Sequence, residues 1–246
     1  MSESREAVGF QPLRSVTSFS VIIPALNEEA EIAGCVAAVR ALDPDVEVIV
    51  ADGGSSDRTV DLAAGAGAMV VRSLRGRGPQ CNAGAARASG ETLVFLHADT
   101  ALPADAFGIL RTLLADPTIE VAKFRLSFDT RDGLLDIAAR LMWYDSLLTS
   151  YGDQGIVIRR DLFERIGGFP DWPLFEDVRL FELARVLTDI HVVPAEVVTS
   201  ARRFRENGVI EQLLHDFWLW LQYLVGVSPH EIARSYERRG AGLLQC

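Results

Sequence analysis

Short apolar runs alternate with amphipathic stretches along the first hundred residues. Three apolar runs are typical of strands buried on both faces: FSVII at 19–23, VEVIVA at 46–51 and LVFLHAD at 93–99. MVV at 69–71 predicts a further, short strand. We expect Pro24 to end the first run. Between the runs, apolar residues recur at helical spacing. The order strand-helix-strand-helix-strand predicts an α/β fold with a mostly parallel, Rossmann-like sheet flanked by helices.

The second half of the chain has a less regular pattern. Residues 122–128 (AKFRLSF) alternate apolar and polar side chains, which predicts a strand with one wet face, antiparallel or at a sheet edge. An amphipathic helix is expected at about 133–148, and two short strands at 190–193 and 197–200. The strands of the second half therefore need not run parallel to those of the first half.

The patterns divide the chain into three parts. Residues 1–18 form a loose polar arm, residues 19–205 form the α/β domain, and residues 206–246 form a C-terminal helical segment. Within that segment, residues 209–225 are apolar over most of a helix circumference and include Trp220. Such a helix must be covered on more than one side, so we expect it to pack on the domain and at a homodimer contact.

Polar residues follow three of the predicted strands: PALNE at 24–28, DGGSS at 52–56 and HAD at 97–99. The carboxyl ends of neighbouring parallel strands converge on one crevice, where open α/β sheets bind ligands. Asp99 either caps the helix that begins near Pro103 or holds a divalent cation, which in turn can hold phosphate oxygens. Arg77, in a basic, Gly-rich loop, can pair with phosphate on the same rim.

Composition narrows the function classes. The net charge is −10 and no basic patch is evident, which argues against a nucleic-acid binder. The three cysteines, Cys35, Cys81 and Cys246, are scattered and have no metal-ligand spacing, as is typical of a reducing compartment. No signal peptide is visible and no apolar run reaches the length of a transmembrane segment, so a cytoplasmic location is expected.

Taken in order, VIIPALNEE, VADGGSSD, FLHAD and FED resemble the family 2 glycosyltransferases of GT-A type, over roughly residues 19–205. The resemblance implies an inverting transfer of a sugar from a nucleotide diphosphate, such as a UDP- or GDP-sugar, to a hydroxyl acceptor. It also implies Mn²⁺ or Mg²⁺ as cofactor. SARRF at 200–204 differs from the Q-x-x-R-W of processive relatives, so we expect non-processive transfer.

The resemblance also assigns roles residue by residue. Asp177 would be the catalytic base, with neighbouring Glu176 as its competitor, and Asp99, which closes the D-x-D motif, would bind the metal with His97. The implied nucleotide contacts are Pro24, Leu26, Asn27, Glu28, Asp52, Gly53, Ser55, Arg77, Asn82, His97 and Ala98. The implied contacts to the donor sugar or the acceptor are Gly152, Asp153, Gln154, Arg202 and Arg203.

Several of these roles have a plain structural alternative. His97 replaces the first Asp of the usual D-x-D and either contacts a ligand or only packs at the strand end. Asp153 is equally compatible with an ordinary turn, and Arg202 with Arg203 is equally compatible with a solvated basic pair. GDQG at 152–155 and TSARRF at 199–204 resemble a bacterial subgroup linked to arsenosugar biosynthesis.

Two other classes of function compete with a glycosyltransferase. A Rossmann methyltransferase or dehydrogenase would also place an acidic, Gly-rich turn after a parallel strand, but VADGGSSD lacks G-x-G-x-x-G. A catalytically impaired sugar-nucleotide-binding protein would explain the altered H-A-D motif, but Asp99, Glu176 and Asp177 are all retained.

Overall fold

The computed structural model describes residues 17–146, 149 and 152–237. Within that part of the chain, one mixed sheet has the strand order β3-β2-β1-β4-β7-β6-β8-β5. The strands are β1 (Phe19–Ala25), β2 (Glu47–Asp52), β3 (Met69–Arg72), β4 (Thr92–Phe95), β5 (Thr100–Ala101), β6 (Val121–Phe128), β7 (Ile156–Arg159) and β8 (Ile190–Thr199). The helices are α1 (Ile32–Leu42), α2 (Thr59–Gly65), α3 (Arg77–Ala85), α4 (Ala106–Leu114), α5 (Gly133–Leu141), α6 (Arg160–Arg165), α7 (Glu176–Arg185), α8 (Arg202–Asn207), α9 (Val209–Leu224) and α10 (Pro229–Glu237).

The first four long strands form the parallel part of the sheet, as the apolar runs predict. Alternate residues of β1 enter different cores: Val21 and Ile23 pack in one hydrophobic cluster and Ile22 in another. The two clusters therefore lie on opposite faces of the sheet. This double burial explains why the runs of β1, β2 and β4 are mostly apolar, whereas β3, at the edge of the sheet, has no fully buried residue.

Pro24 does not end β1, which continues to Ala25. Pairing with β4 stops at Ile22, and Pro24 faces that unpaired side of the strand, because Ala25 accepts a hydrogen bond from Gly53 on the β2 side. The missing N–H of proline therefore removes no hydrogen bond from the ladder. The expected strand end was wrong for this local reason.

Strand β6 is antiparallel to β7, as predicted, but it is neither at an edge nor wet on one face. It also pairs in parallel with β8, and Lys123 within it is completely buried. The two short strands expected at 190–200 are one strand, β8, whose register shifts opposite Phe124 and Arg125. That irregularity places Pro194 outside the regular ladder, which is why the sequence pattern is broken there.

The helices of the second half differ from the prediction in length and number. α5 ends at Leu141 rather than near residue 148, because the following segment turns back and the Met142 carbonyl oxygen accepts a hydrogen bond from the Gln154 side chain. α9 matches the apolar stretch, and Trp220 within it is buried, with its ring against Phe175 and Tyr223. β5, α6, α8 and α10 were not predicted.

Among the described residues, no helix has both the length and the apolar character needed to cross a membrane. Most of the predicted N-terminal arm, the whole of residues 238–246 and therefore Cys246 lie outside the described residues. The three-part division of the chain stays a prediction. The predicted α/β architecture, a sheet flanked by helices, is confirmed, and the sheet is mixed.

Candidate active site

The turns after β1 and β2 bond to each other. Asn27, with a left-handed φ of +56°, accepts a hydrogen bond from the Ser56 N–H at 2.9 Å and donates its own N–H to the Ser55 hydroxyl at 2.9 Å. Buried Asp52 accepts hydrogen bonds from the N–H groups of Gly54 and Ser55, both at 3.1 Å. Asp52 therefore organises its own turn, and a contact between this carboxylate and a nucleotide stays a prediction.

Gln80 holds together the ends of β1 and β2, and the sequence did not predict this role. Its fully buried amide donates to the carbonyl oxygens of Ala25 and Ala51, both at 2.8 Å, and so ties α3 to the ends of β1 and β2. A Cβ on Gly53 would lie 3.0 Å from this side chain. Packing against Gln80 is therefore enough to explain why residue 53 is glycine, without a contact to a ligand.

A second group of charges lies where α8 meets the strand ends. Glu28 is buried, and its carboxylate lies 3.9 Å from the Arg202 guanidinium. Burial raises the pKa of Glu28 to about 7, Arg202 lowers it and the charge of Asp99 raises it. Asp99 does not cap α4, which begins after Asp105, so that alternative was wrong. The structure thus brings Glu28, Asp99 and Arg202 to one place.

The FED motif, residues 175–177 at the start of α7, lies against the same strand ends. Arg77, in the first turn of α3, lies 3.2 Å from the buried carboxylate of Glu176. Burial raises the pKa of Glu176 to about 7, Arg77 lowers it and neighbouring Asp177 raises it. One Asp177 oxygen accepts the Gly152 N–H at 2.5 Å and the other accepts the Val178 N–H at 2.7 Å. Both carboxylates therefore have fixed positions.

His97 pairs with Asp153 across the site, with 3.2 Å between Nδ1 and Oδ1. Burial acts to raise the pKa of Asp153, but the charges of His97, Arg203 and Arg77 outweigh it and the pKa is lowered. Asp153 is therefore more than a turn residue. Arg203 acts electrostatically on both Asp153 and Asp216 of α9, so this arginine belongs to the charge network of the site.

These elements enclose one pocket. Its lining comes from the ends of β1 and β4, the first turn of α3, the 152–156 segment and the start of α7, namely Pro24, Arg77, Cys81, Phe95, His97, Gly152, Ile156, Phe169, Glu176 and Asp177. Leu26 and Ala98 are buried beside it. The lining unites residues that are separated by up to 153 positions in the sequence.

Two predicted contact residues are engaged by the protein backbone. Asn82 accepts the Phe169 N–H at 2.9 Å and donates to the Phe169 carbonyl at 2.8 Å, so it clamps the turn between α6 and α7. Gln154 is fully buried and donates to the Met142 carbonyl at 2.8 Å. The structure gives both side chains structural partners, and their predicted ligand contacts gain no support from the described geometry.

No group of three or more His, Cys, Asp or Glu side chains within the described ranges is arranged to hold a metal ion. His97 directs Nδ1 at Asp153 rather than at Asp99. Asp99 is half-buried, and Thr100 donates its hydroxyl to it at 3.4 Å. The protein can therefore offer a cation one carboxylate at this point. Mg²⁺ is commonly held by one or two carboxylates together with substrate phosphates, so the donor set fits a metal that arrives with a diphosphate.

Several solved structures have a similar fold. They include a mannosyltransferase from Pyrobaculum calidifontis in complex with GDP-Man and Mn²⁺, with 21% identity, a TM-score of 0.60, and coverage of 75% of this chain and 57% of that one. S. aureus TarS in complex with UDP-GlcNAc has 19% identity, a TM-score of 0.61, and coverage of 74% and 58%. This chain therefore spans less than two thirds of those two proteins.

Glucosyl-3-phosphoglycerate synthase from Mycobacterium tuberculosis, in complex with Mn²⁺, UDP and phosphoglyceric acid, has 23% identity, a TM-score of 0.60, and coverage of 86% of this chain and 79% of that one. At such identities the likeness establishes the fold. No curated protein sequence matches the chain. The family model described as glycosyl transferase family 2 matches residues 20–165, more than half of the sequence. The chain belongs to glycosyl transferase family 2.

Proposed function

We propose that the protein is an inverting, non-processive glycosyltransferase that moves a sugar from a UDP- or GDP-sugar to a hydroxyl acceptor. The observation that carries this proposal is the convergence of Arg77, Glu176 and Asp177 with His97, which follows β4, around one pocket. Family membership and structural relatives that hold GDP-Man or UDP-GlcNAc support it.

The leaving nucleoside diphosphate gains negative charge as the glycosidic bond breaks. Asp99 would hold Mn²⁺ or Mg²⁺, which supplies positive charge to the diphosphate when bound, and two relatives contain Mn²⁺ with their nucleotides. Arg77 adds a fixed positive charge from the first turn of α3. Its pairing with Glu176 holds the guanidinium at the pocket wall.

The acceptor hydroxyl must lose a proton as its oxygen bonds to the anomeric carbon and the bond to the diphosphate breaks. Asp177 is the proposed base, because it lines the pocket and is held by the N–H groups of Gly152 and Val178. Glu176 is the alternative. Its pairing with Arg77 favours a role in positioning that arginine.

Binding and turnover measurements test these assignments together. A thermal-shift screen of UDP-, GDP- and dTDP-sugars with Mn²⁺ identifies the donor, since a ligand of the native state raises the melting temperature.

Asp99→Asn should weaken donor binding in Mn²⁺. Asp177→Asn should leave donor binding intact and lower turnover by about 10²- to 10⁴-fold. Glu176→Gln is the matched control, and a larger loss of turnover there would transfer the role of base to Glu176.

We also propose a homodimer contact on α9. One face of this helix is exposed and apolar, with its members at helical spacing: Ile210, Leu214, Phe217, Trp218, Leu221, Leu224 and Val225. Exposed apolar patches of this extent are typical of interaction surfaces. Light scattering of the purified protein tests the proposal, and a monomer at all concentrations would contradict it.

The finer resemblance to the arsenosugar-linked subgroup remains part of this proposal. It is supported by the GDQG and TSARRF segments, which form the turn below Asp177 and the start of α8. Turnover with a panel of candidate acceptors, after the donor is identified, would test it.

A further inference from the structure

Phe175, the residue before Glu176 and Asp177, has a backbone conformation that its large side chain disfavours. Its φ is +63° and its ψ is +19°, in the left-handed region, and it is the N-cap residue of α7. Among the described residues, Asn27 is the one other non-glycine with a positive φ, and asparagine tolerates that region. A bulky residue stays there only when its surroundings determine the conformation, and such residues concentrate at functional sites.

Two aromatic rings of α9 hold the side chain of Phe175. The Tyr223 ring stacks on it, with 4.7 Å between the ring centroids and 26° between the ring planes. The Trp220 ring packs on it edge-to-face, with 5.6 Å between the centroids. We call Phe175, Trp220 and Tyr223 the aromatic cluster. Leu174, the residue before Phe175, packs against the same buried residues of α9 and α10 as Phe175 does, so the C-terminal helices hold the chain where it enters α7.

A hydrogen bond links α9 to α7 at a second point. Tyr223 donates its hydroxyl to one oxygen of Glu182 at 2.9 Å. The other oxygen of Glu182 lies 2.9 Å from Arg179 Nη1. Both of these partners lie further along α7 than Phe175. Tyr223 therefore contacts the start of α7 through its ring and the body of the helix through its hydroxyl.

The two residues that follow Phe175 belong to the candidate active site. Glu176 lies 3.2 Å from Arg77, and Asp177 accepts the Gly152 N–H at 2.5 Å. Both carboxylates line the pocket, whereas the lining does not include Phe175. A change of Phe175 to the extended or right-handed region would turn the chain that follows and move both carboxylates away from these partners.

We infer that the aromatic cluster keeps the backbone of Phe175 in the left-handed region and thereby places Asp177 for its role as base. Phe175, Trp220 and Tyr223 are positioning residues that act through Asp177, so α9 is a required part of the active site. This inference deepens the proposed function and rests on it. The family model matches residues 20–165, and the aromatic cluster lies beyond that segment.

Two substitutions of Phe175 separate its backbone conformation from its packing. Phe175→Asn and Phe175→Val both remove the ring from the aromatic cluster. Asparagine adopts the left-handed region readily and is a favoured N-cap residue, whereas β-branched valine is strongly disfavoured in that region. A role in packing alone predicts that Phe175→Asn is at least as harmful as Phe175→Val. Our inference predicts that Phe175→Asn preserves the site and Phe175→Val does not.

The exchange rate of the Gly152 N–H gives a readout that needs no substrate, because this group is donated to Asp177. NMR in D₂O measures it in each variant. We expect exchange about tenfold faster than in wild type for Phe175→Val and Tyr223→Ala, the loss of one hydrogen bond, and close to wild type for Phe175→Asn. Tyr223→Phe keeps the stacked ring and should also match wild type. The amide of buried Ile22, in a strand paired on both sides, is the control for folding.

Turnover gives the second readout. The assay is release of GDP from GDP-mannose and of UDP from UDP-GlcNAc in Mn²⁺, with water as the acceptor. We expect Tyr223→Ala and Phe175→Val to lower kcat by about 10- to 100-fold, the effect of a misplaced catalytic group. The Kd of the donor should stay close to wild type, because Asp99 and Arg77 lie outside α7. Adding Phe175→Asn to Tyr223→Ala should restore turnover, since residue 175 then no longer needs the stacked ring.

Equal Gly152 exchange rates in Phe175→Asn and Phe175→Val would overturn the inference, because the left-handed conformation would then not determine the position of Asp177. Wild-type Gly152 exchange in Tyr223→Ala would also overturn it. Both results leave the proposed function intact. A folded wild type that binds no nucleotide sugar would instead overturn the proposed function and with it the catalytic role of the aromatic cluster.

Discussion

The two halves of the molecule build their parts of the site in different ways. In residues 19–99, most site residues follow a buried parallel strand, and the turns are held by bonds between neighbouring strand ends, such as Asn27 to Ser56. In residues 121–237, the site is held by buried polar side chains that reach across unrelated elements. Gly152 and Asp177 meet in this way although 25 residues separate them.

Lys123 is the plainest example from the second half. It is the one lysine in the whole sequence, and it is completely buried in β6. Its ammonium donates to the carbonyl oxygens of Tyr144 at 3.3 Å and Thr149 at 2.7 Å, with the Asp145 carboxylate at 3.7 Å. Burial lowers its pKa to about 8, although Asp145 raises it. This side chain anchors the segment that leads to Gly152.

The difference has a physical basis. A parallel strand that is covered on both faces needs a continuous apolar run. The polar residue that follows the run lies at the carboxyl end of the strand, where open α/β sheets bind ligands. A buried charge in an alternating strand has the same sequence pattern as an exposed one. Its partners lie on segments whose position depends on the complete fold. Four sets of variants test how far this contrast extends, starting with the largest expected effect.

Glu28→Gln tests whether a buried charge in the first half costs stability. The folded protein keeps the Glu28 proton up to about pH 7, while the unfolded chain releases it near 4.5. Between these values the folded state binds more protons, so raising the pH lowers the free energy of unfolding. At about 1.4 kcal/mol per pKa unit, the variant should be more stable than wild type by about 3 kcal/mol at pH 8.

The measurement is urea unfolding at pH 4, 6 and 8 in metal-free buffer. The two proteins should nearly agree at pH 4, where Glu28 is mostly neutral in both states. Glu176, whose pKa is also raised, contributes the same slope to wild type and variant, so the difference isolates Glu28. A gap that does not grow with pH would contradict the expectation.

Lys123→Met tests the corresponding charge of the second half, where we expect the opposite sign. The variant keeps the apolar stem but leaves the Tyr144 and Thr149 carbonyls without their buried donor, so we expect a loss of about 2 kcal/mol at pH 7. Arg165→Met is the control, because the Arg165–Glu120 pair is largely exposed and such pairs contribute little. A Lys123→Met protein as stable as the control would mean that this anchor is dispensable.

The fold was predictable wherever local pattern and burial agree. The four parallel strands, α4 and α9 follow from apolar runs and spacing. The buried face of β6 did not, since Lys123 and Arg125 give it a polar alternation that normally marks solvent. α5 was predicted too long because its end depends on Gln154, which lies 12 residues beyond the Met142 carbonyl that it binds.

Gly84→Ala and Gly34→Ala sharpen the comparison inside the first half. A Cβ on Gly84 would lie 2.4 Å from Ile22 Cγ2, so α3 could not keep its approach to β1, and we expect a loss of about 1 to 2 kcal/mol. Gly34 lies in α1, and apart from its chain neighbours and the backbone of its own helix no described atom lies within 4 Å of the methyl group that alanine would add there, so this variant should gain up to about 1 kcal/mol. Thermal unfolding of both variants gives the sign directly, and equal signs would refute this packing account.

The residues of the candidate site also differ in how far the sequence could predict them. Asp52, His97 and Asp99 were predicted because they stand at or just after the end of an apolar run, and Asp177 because the FED motif resembles that of the family. Gln80 was missed, because a glutamine within a helix carries no local sign that it bridges two strand ends. The link from Arg203 to Asp216 was also missed, since it depends on how α8 and α9 return to the sheet.

The smallest effect on stability is expected at the exposed apolar faces. Phe217 on α9 and Ile137 on α5 are 67% and 60% exposed, so Phe217→Glu and Ile137→Glu should each change the unfolding free energy of the monomer by less than about 0.5 kcal/mol. Their effects on assembly should differ. If α9 forms the dimer contact, only Phe217→Glu places a charge in an apolar interface. Light scattering across a dilution series should then give a monomer for Phe217→Glu and the wild-type mass for Ile137→Glu. The reverse result would move the contact to α5.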